Sequence, residues 1–321
     1  MTDLAFYQNR LLKKKRRLAP WVTRDQIHAY RLYNRDIPEF PLIVDWYGSE
    51  TGTRVHLQEV DTGWRQTAEE HRQWFDFVLG ATADALAIAP AQIVGKMRMR
   101  QRVRGDTTLQ YAATGNRSED LVIREAGLRF WVNLTSYVDT GLFLDHRKTR
   151  RMVGERAQGK RFLNLFGYTG SFTVYAAAGG AVSSETIDLS NTYTEWAVRN
   201  LRLNGISTEA HQVVRADVFV WLREAVAAQR QYDLIVLDPP TFSNSKKMLG
   251  ILDVQRDHPW LIRECLALLS REGELFFSTN LHGFELDAQV ATRANFSELT
   301  SRTRTEDFKD DNPHRAWRIT K

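Results

Sequence analysis

Residues 162–179 read FLNLFGYTGSFTVYAAAG, which is an apolar run, a turn with two glycines and a second apolar run that ends in glycine. The first run has the length of a buried strand and the second has the composition of a helix, so the stretch predicts a strand, a tight turn and a helix. The turn does not match the GxGxxG pattern and lacks the Lys-Ser/Thr pair of a loop that cradles phosphates. It therefore gives little support to nucleoside triphosphate hydrolysis.

The same alternation of strand and helix continues towards the C-terminus. Further strands are predicted at 183–189, 211–217, 232–238 and 273–280, and helices at 170–179, 191–205, 218–229 and 254–270. Apolar strands that alternate with amphipathic helices are typical of an open parallel sheet covered on both faces. We therefore expect a Rossmann-like α/β sheet in residues 139–321, preceded by a smaller α+β domain in residues 1–138.

The first 138 residues combine a helix with a basic cluster at 13–17, two short strands, a second helix from about residue 67 to 87 and a hairpin at 120–134. Within them, GKMRMRQRVRG places arginine at every second position, namely at Arg98, Arg100, Arg102 and Arg104. Alternate side chains of a strand share one face, so the four guanidinium groups would form a row that RNA phosphates could neutralise. The other interpretation is an exposed edge strand in which charge prevents aggregation.

Composition limits the classes of protein that fit. The chain has 321 residues, of which 43% are hydrophobic and 26% charged, values that favour two globular domains over a disordered or fibrous protein. No apolar run approaches the ~20 residues that span a bilayer, and no signal peptide is apparent, so we expect a cytoplasmic protein. The single cysteine, Cys265, excludes an internal disulfide and a multi-cysteine metal site, and we expect no metal. The net charge of +5 permits a polyanionic partner.

Three successive predicted strands end in aspartate: Asp188, Asp217 and Asp238. In doubly wound sheets, ligands bind at the carboxyl ends of the strands, near the point where the strand order reverses. Asp188 follows the glycine turn by about twenty residues, a position from which an acidic side chain can bind both hydroxyls of a ribose. Each aspartate could instead cap the helix that follows its strand, because aspartate is a favoured N-cap.

The last of these strands runs into LDPPTFSNSKK, residues 237–247. Two prolines fix the backbone there, and Phe242 offers a face on which a flat base can stack. A ribose next to an exocyclic amine occurs in both NAD and S-adenosylmethionine, but a dehydrogenase has no use for this rigid aromatic segment. Lys246 and Lys247 could contact an RNA backbone or belong to a solvated loop. The segment favours base methylation over an NAD-dependent oxidoreductase.

Several segments together resemble one family. NLFGYTGSFTVYAAAGGA, DLSNTYTEWAVRNLRLNG, LDPPTFSNSK and DVQRDH are similar to the class I S-adenosylmethionine-dependent RNA methyltransferases. The resemblance is greatest to the C-terminal half of the bacterial bifunctional 23S ribosomal RNA guanine methyltransferases, the half that forms 7-methylguanosine, and it covers nearly the whole chain. It implies a class I methyltransferase fold, S-adenosyl-L-methionine as cofactor, and 23S ribosomal RNA or a pre-ribosomal particle as partner.

The chain departs from that family in one respect, because the N-terminal half of the bifunctional enzymes, with its RNA-binding THUMP domain and guanine-N2 methyltransferase, has no counterpart here. The chain could be a stand-alone gene product or a fragment of a longer enzyme. A separate protein could replace the missing half. The basic N-terminal helix and the arginine row would then supply more of the RNA binding.

The resemblance also implies roles for individual residues. The loop beneath the methionine part of the cofactor would comprise Asn164, Phe166, Tyr168, Thr169 and Gly170. The ribose would be held by Asp188, next to Ser190, and the adenine by Asp217 and Val218. Asp145 and Arg147 would close over the cofactor. Alternatively, their segment has only a structural role and leads the chain into the first strand. The acceptor pocket would consist of Asp238, which also faces the cofactor, Pro239, Pro240 and Phe242.

Chemistry restricts the acceptor atom without fixing it. Guanine N7 has a lone pair and no proton to lose, so no general base is needed. Three histidines are expected to be structural or hydrogen-bonding residues: His146, His258 and His282. An exocyclic amine would need an acceptor such as the Asp238 carboxylate, so guanine N2 and adenine N6 stay open. Carbon-5 of cytosine needs a cysteine thiolate, which a mid-helix Cys265 does not offer. We expect guanine-N7 methylation of 23S ribosomal RNA; the alternatives are another RNA base methylation or a non-catalytic RNA-binding or ribosome-assembly protein that retains the fold.

Overall fold

The computed structural model describes residues 4–60, 67–98, 111–113, 120–137, 139–244, 250–292 and 294–321. The chain divides into two compact units, Met1–Leu144 and Asp145–Lys321, whereas the sequence pattern predicted a boundary after residue 138. No helix in the described ranges is long and apolar enough to cross a membrane.

The first unit has α+β architecture. Its elements are α1 (Leu4–Arg24), β1 (Ala29–Asn34), β2 (Leu42–Ser49), β3 (Gly52–Glu59), α2 (Ala68–Leu86), β4 (Ile93–Arg98), β5 (Tyr111–Ala113), β6 (Asp120–Glu125) and β7 (Leu128–Asn133). Strands β1 to β5 form one sheet in chain order, in which only β3 and β4 pair in parallel, and β6 and β7 form a hairpin. Helix α2 begins after a capping box between Thr67 and Glu70, as its sequence favours.

The basic cluster at residues 13–17 is not a single solvated face of α1. The buried face of this helix consists of Tyr7, Leu11, Lys14, Leu18 and Trp21, which recur at intervals of three and four residues. Lys15 is half-buried, with its Nζ 4.6 Å from the centroid of the Trp46 ring. Only Lys13, Arg16 and Arg17 are exposed, so three of the five cations face the solvent.

The predicted arginine row lies almost entirely outside the described residues. The backbone of Arg98 ends β4 and pairs with Tyr111 of β5. Arg100, Arg102 and Arg104 are outside the ranges that the structure describes, and so are Lys246 and Lys247. The role of these cations in RNA binding stays a prediction.

The second unit is the predicted α/β sheet. Its elements are α3 (Arg147–Gly154), β8 (Arg161–Leu165), α4 (Ser171–Ala178), β9 (Ser183–Asp188), α5 (Asn191–Leu203), β10 (His211–Arg215), α6 (Val218–Ala227), β11 (Tyr232–Leu237), β12 (Phe242–Ser243), β13 (Leu252–Asp253), α7 (Val254–Leu268), β14 (Leu269–Thr279), α8 (Ala288–Ala291), β15 (Asn295–Glu298), α9 (Thr300–Thr303) and β16 (Arg315–Thr320). The sheet order is β10-β9-β8-β11-β14-β16-β15. The first five strands are parallel, and β16 runs antiparallel to both of its neighbours. All five predicted strands and four predicted helices of this unit are confirmed.

Both faces of the sheet are buried, which explains the nearly continuous apolar runs of its strands. Leu234 and Val236 of β11 belong to one core cluster, and Ile235 and Leu237 to the cluster on the opposite face. The strand order reverses between β8 and β11, so a ligand crevice is expected outside the carboxyl ends of these two strands. The residues after Leu165 and Leu237 are therefore the first to examine.

Candidate active site

The turn after β8 holds its backbone in an unusual conformation. Phe166 and Tyr168 have φ angles of 55° and 50°, and Gly170 has a φ of 73°. A left-handed conformation at a bulky residue costs roughly 1–3 kcal/mol and persists only where the surroundings enforce it. Here the N–H of Gly167 donates to the carbonyl of Ile187 at 2.9 Å. Strain at two aromatic residues, one on each side of Gly167, marks this turn as a functional feature.

Gly167 fits where no other residue would. A Cβ at this position would lie 2.3 Å from the Cγ2 of Thr186 and 3.2 Å from the Nδ2 of Asn164. The first distance is far below van der Waals contact, so a side chain would push the turn away from the sheet. The glycine is thus required by a close approach of backbone to β9.

A buried polar network supports the turn from beneath. Asn164 donates from Nδ2 to the Thr173 hydroxyl at 3.0 Å, and the hydroxyls of Thr173 and Thr186 are 2.6 Å apart. Asn200 donates from Nδ2 to the carbonyl of Thr169 at 2.9 Å. Asn164 and Thr169, both predicted to contact the cofactor, are 1% and 0% exposed. In the structure, the buried hydrogen bonds of these two residues stabilise the conformation of the turn.

Asp188 joins the end of β9 to this turn. Its carboxylate accepts hydrogen bonds from the backbone N–H groups of Tyr168, at 2.9 Å, and Ser190, at 2.8 Å. Ser190 also caps α5, because its hydroxyl accepts from the N–H of Tyr193 at 3.3 Å. Burial raises the pKa of Asp188 above its ordinary value, and the backbone N–H donors oppose that rise. A carboxylate has about four lone-pair sites, so these two bonds leave capacity for ribose hydroxyls.

Asp217 and Val218 lie at the next strand end. The Asp217 carboxylate accepts from the N–H of Phe219 at 2.8 Å and so caps α6, the alternative that the sequence left open. The preceding N–H, of Ala216, donates to the carbonyl of Asp188 at 3.0 Å and ties the two strand ends together. Val218 is 3% exposed and packs in the core, so only its backbone is available to a ligand.

Asp238 is held from two sides at the end of β11. Its Oδ1 accepts from the hydroxyl of Ser278 at 2.6 Å, and its Oδ2 lies 3.5 Å from the Nε2 of His146. Pro239 is buried and Pro240 is exposed. Phe242 is 56% exposed, although it lies in β12 opposite Asp253 of β13. The segment thus combines a fixed carboxylate with an accessible aromatic face.

Asp145 and Arg147, predicted to close over the cofactor, have partners within the second unit. Asp145 accepts from the Nδ1 of His314 at 2.8 Å. Arg147 is buried and lies 3.4 Å from the carboxylate of Asp307. For Arg147 this contact favours the structural interpretation. For Asp145 it reveals a cluster of ionisable groups next to Asp238.

Sequence reasoning missed two members of this cluster, because His314 and Ser278 were not singled out. His146 was expected to be a structural or hydrogen-bonding residue, and it lies beside Asp238. No local signal identifies them, because His314 lies 169 residues from Asp145 along the chain. By contrast, His258 is structural as expected: its Nδ1 donates to main-chain carbonyls and its Nε2 accepts from the N–H of Asp287 at 3.0 Å.

The cysteine lies away from these groups. Cys265 is fully buried in α7, and burial raises the pKa of its thiol far above the ordinary value. A protonated thiol in a helix interior is not a nucleophile. The expectation that carbon-5 of cytosine is not the acceptor is consistent with this placement.

The geometry can be compared with known proteins. The S-adenosylmethionine-dependent methyltransferase family model matches residues 56–297. Ribosomal RNA large subunit methyltransferase K of Neisseria meningitidis serogroup B is 53% identical over 319 residues, which are 99% of this chain and 88% of that protein. Because the match covers 88% of the Neisseria protein, that protein has no room for an additional half of equal size.

Solved structures share the fold at low identity. A putative methyltransferase complexed with SAH superposes with a TM-score of 0.77 at 23% identity, over 99% of this chain and 82% of that one. A methyltransferase from Agrobacterium tumefaciens gives 0.61 at 18% identity, over 87% of each chain. The predicted class I methyltransferase fold is confirmed.

Proposed function

The chain belongs to the S-adenosylmethionine-dependent methyltransferase family, and from that premise we propose that it methylates guanine N7 in 23S ribosomal RNA. The similarity to a large-subunit ribosomal RNA methyltransferase along 99% of the chain supports the RNA substrate. One observation carries the choice of a purine nitrogen: a fixed carboxylate, Asp238, lies at the strand end while the cysteine is buried in α7. Such a substrate places the reaction in the cytoplasm.

The cofactor of the family is S-adenosylmethionine, and the residues at the strand ends fit it. The Asp188 carboxylate retains hydrogen-bonding capacity for ribose hydroxyls, and the turn at residues 166–170 supplies backbone groups next to it. The α6 cap at Asp217 would lie beside the adenine. When bound, the cofactor supplies an electrophilic methyl group on a sulfonium. The chain itself must orient the acceptor in line with that group.

Asp238 is suited to an acceptor that becomes charged. Guanine N7 attacks with its lone pair and loses no proton, so the methylated base carries a positive charge. An ionised carboxylate, fixed before the reaction, stabilises that developing charge without having to reorganise. The two groups that contact Asp238, Ser278 and His146, would hold it in place.

Phe242 would stack on the target base. Its ring is exposed, and the buried Pro239 and the pairing of β12 with β13 fix the segment that carries it. A base must leave its stack to enter such a pocket, at a cost of a few kcal/mol, roughly what one aromatic stacking contact returns. An unpaired stretch of RNA or an assembly intermediate is therefore the expected substrate.

A second candidate is methylation of an exocyclic amine, guanine N2 or adenine N6. It is favoured by the same carboxylate, because Asp238 can accept a hydrogen bond from an amino group. The experiment uses 23S ribosomal RNA from a strain that lacks the gene, the purified chain and radiolabelled S-adenosylmethionine. We expect 7-methylguanosine among the digested nucleosides and none with Asp238→Ala. Recovery of N2-methylguanosine or N6-methyladenosine instead would establish the second candidate.

The non-catalytic alternative is tested in the same preparation. A protein that only binds RNA would give RNA binding without any heat of S-adenosylmethionine binding in calorimetry. For the RNA contacts, Arg100→Ala with Arg102→Ala is expected to weaken RNA binding and to reduce its salt dependence by about two phosphate contacts, with unchanged cofactor affinity. If the salt dependence of RNA binding is equal in mutant and parent, the interpretation of the arginine row as an exposed edge strand is favoured. A separate protein that replaces the missing half would raise activity when added.

A further inference from the structure

A buried pair of imidazoles lies behind Asp238. His146 and His314 are 5% and 4% exposed, and their rings stack with centroids 4.2 Å apart and planes 14° apart. The Nε2 of His146 lies 3.5 Å from the Oδ2 of Asp238 and 4.0 Å from the Oδ2 of Asp145. Phe172 of α4 packs its edge against the His146 ring at 5.7 Å. Three other segments of the second unit thus converge on one imidazole.

The cluster does not have the geometry of a metal site, although Asp145, His146 and His314 bring one ligand atom each within 4.8 Å of one another. A histidine lone pair lies in the plane of its ring, so an ion must lie close to the plane of every imidazole that binds it. Two nearly parallel planes separated by about a stacking distance do not share such a point. The two imidazoles are therefore better suited to hydrogen bonding with their carboxylate neighbours than to binding an ion.

Hydrogen bonds hold His314 at both ring nitrogens. Its Nδ1 faces the Asp145 carboxylate, which only accepts, so Nδ1 carries a hydrogen. Its Nε2 lies 3.0 Å from the Thr303 hydroxyl. His314 is therefore fixed between Asp145 and Thr303.

The surroundings of His146 make it the neutral partner. Burial lowers its pKa, and the positive charges of His314 and Arg150 lower it further, while Asp238 and Asp145 oppose them. Its Nδ1 has no hydrogen-bond partner among the described residues. A bare lone pair is cheaper to bury there than an N–H group, so the hydrogen belongs on Nε2, which faces two carboxylates.

We propose that His146 is a positioning residue for Asp238: its Nε2–H donates to Oδ2 while Ser278 donates to Oδ1, and the stacked ring of His314, held by Asp145, fixes the imidazole. The proposal deepens the proposed function, on which it rests, because it keeps the carboxylate aimed where the acceptor base becomes positive. The present 3.5 Å separation is long for a hydrogen bond. Such contacts commonly shorten only when the substrate is bound.

The test compares His146→Leu, which removes the donor, with His146→Gln, whose amide nitrogen can replace Nε2. For His146→Leu we expect kcat with 23S ribosomal RNA to fall at least tenfold, since a hydrogen bond to a charged group is lost. KM for the RNA should change little, because Asp238 acts on the charge that develops during methyl transfer. Calorimetry should give unchanged S-adenosylmethionine affinity, and His146→Gln should recover most of the rate.

Controls and the contrary outcomes are defined by the same variants. His282→Gln, at an exposed histidine, should retain the parental kcat. A parental kcat in His146→Leu, or a His146→Gln variant no better than His146→Leu, would overturn the proposal.

A second measurement needs no RNA. In protein labelled with ¹⁵N-histidine, NMR should show His146 as a neutral Nε2–H tautomer and His314 with a hydrogen on Nδ1, with signals assigned from the variants. An Nδ1–H tautomer at His146 would overturn the proposal even if methylation is normal. If the acceptor atom differs from guanine N7, the proposed function fails while these tautomers still test the positioning role.

Discussion

The carboxylate of Asp188 accepts a 2.9 Å hydrogen bond from the backbone N–H of Tyr168, a residue in a left-handed conformation twenty positions earlier in the chain. This bond couples the cofactor carboxylate to the shape of the turn. For Asp188→Asn we expect the Kd for S-adenosylmethionine to rise at least tenfold, because the amide offers only one acceptor to two N–H groups and to the ribose. Calorimetry measures it. Asp287→Asn, at the cap of α8, should leave the Kd unchanged; a similar loss there would contradict a specific role.

Cofactor affinity should depend on pH through Asp188. Burial raises the pKa of this carboxyl group in the folded protein, so it takes up a proton at a higher pH than an ordinary aspartate. Protonation removes an acceptor for the ribose, and affinity should therefore fall as the pH is lowered through that raised pKa. Calorimetry between about pH 8 and 5 should show the fall in the parent, and a flatter dependence in Asp188→Asn. The same pH dependence of the Kd in the parent and in Asp188→Asn would show that another group causes it.

The close approach at Gly167 can be tested by removing the atom it meets. Gly167→Ala should cost about 1–3 kcal/mol of the free energy of unfolding, because the new Cβ meets the Cγ2 of Thr186. Thr186→Ser deletes that methyl group and keeps the hydroxyl that faces Thr173. The double variant should lose much less than the sum of the two single losses in urea unfolding. Additive losses would show that the turn is constrained elsewhere.

Phe242 offers a test of base stacking. Phe242→Ala should raise KM for RNA about tenfold or more and leave cofactor affinity unchanged, since stacking on one base contributes roughly 1–3 kcal/mol. Stability should change little because the ring is 56% exposed. Phe77→Ala, at a comparably exposed ring in α2, is the matched control. The same KM for both variants would remove Phe242 from the acceptor pocket.

The pair formed by Asp233 and Arg161 should make stability depend on pH. Arg161 donates to both carboxylate oxygens, at 2.9 and 3.0 Å, and holds the pKa of Asp233 well below its usual range. Because the pKa of Asp233 is lower in the folded than in the unfolded protein, its ionised form stabilises the fold at pH values above the ordinary pKa of aspartate. This contribution is lost as the pH falls through the lowered pKa. The Tm difference between parent and Asp233→Asn should be largest at about pH 7 and shrink below about pH 4. Asp76→Asn, at an exposed site, should show no such trend.

The parallel part of the sheet was predictable because its signals are local. Strands β8, β9, β10, β11 and β14 are apolar runs bounded by turns, and each is followed by or follows a helical pattern, so no distant contact is needed to recognise them. Strand β16 was missed. Its sequence, RAWRIT, places two arginines three residues apart and so lacks a regular alternation. Contacts of Trp317 with Phe277 and of Arg318 with Glu274 stabilise it.

The candidate site was only half predictable for a related reason. Aspartates at strand ends can be identified from the strands themselves, and Asp188 and Asp238 lie where the pattern placed them. Ser278 contacts Asp238, and His314 contacts Asp145, only after the sheet has formed. A buried histidine beside a carboxylate cannot be distinguished, in one sequence, from a histidine such as His258 that bonds only the main chain.

The position of β16 between β14 and β15 bears on the order of folding. The five parallel strands all come from residues before 280, but the imidazole that anchors Asp145 belongs to His314, directly before β16. Contacts between residues so far apart in the chain form slowly, because the entropy cost of closing a long loop precedes the stabilisation that the contacts provide. During synthesis, therefore, we expect a nearly complete sheet to exist before the carboxylate cluster is assembled. A nascent chain would reach catalytic competence only when its last antiparallel strand is inserted.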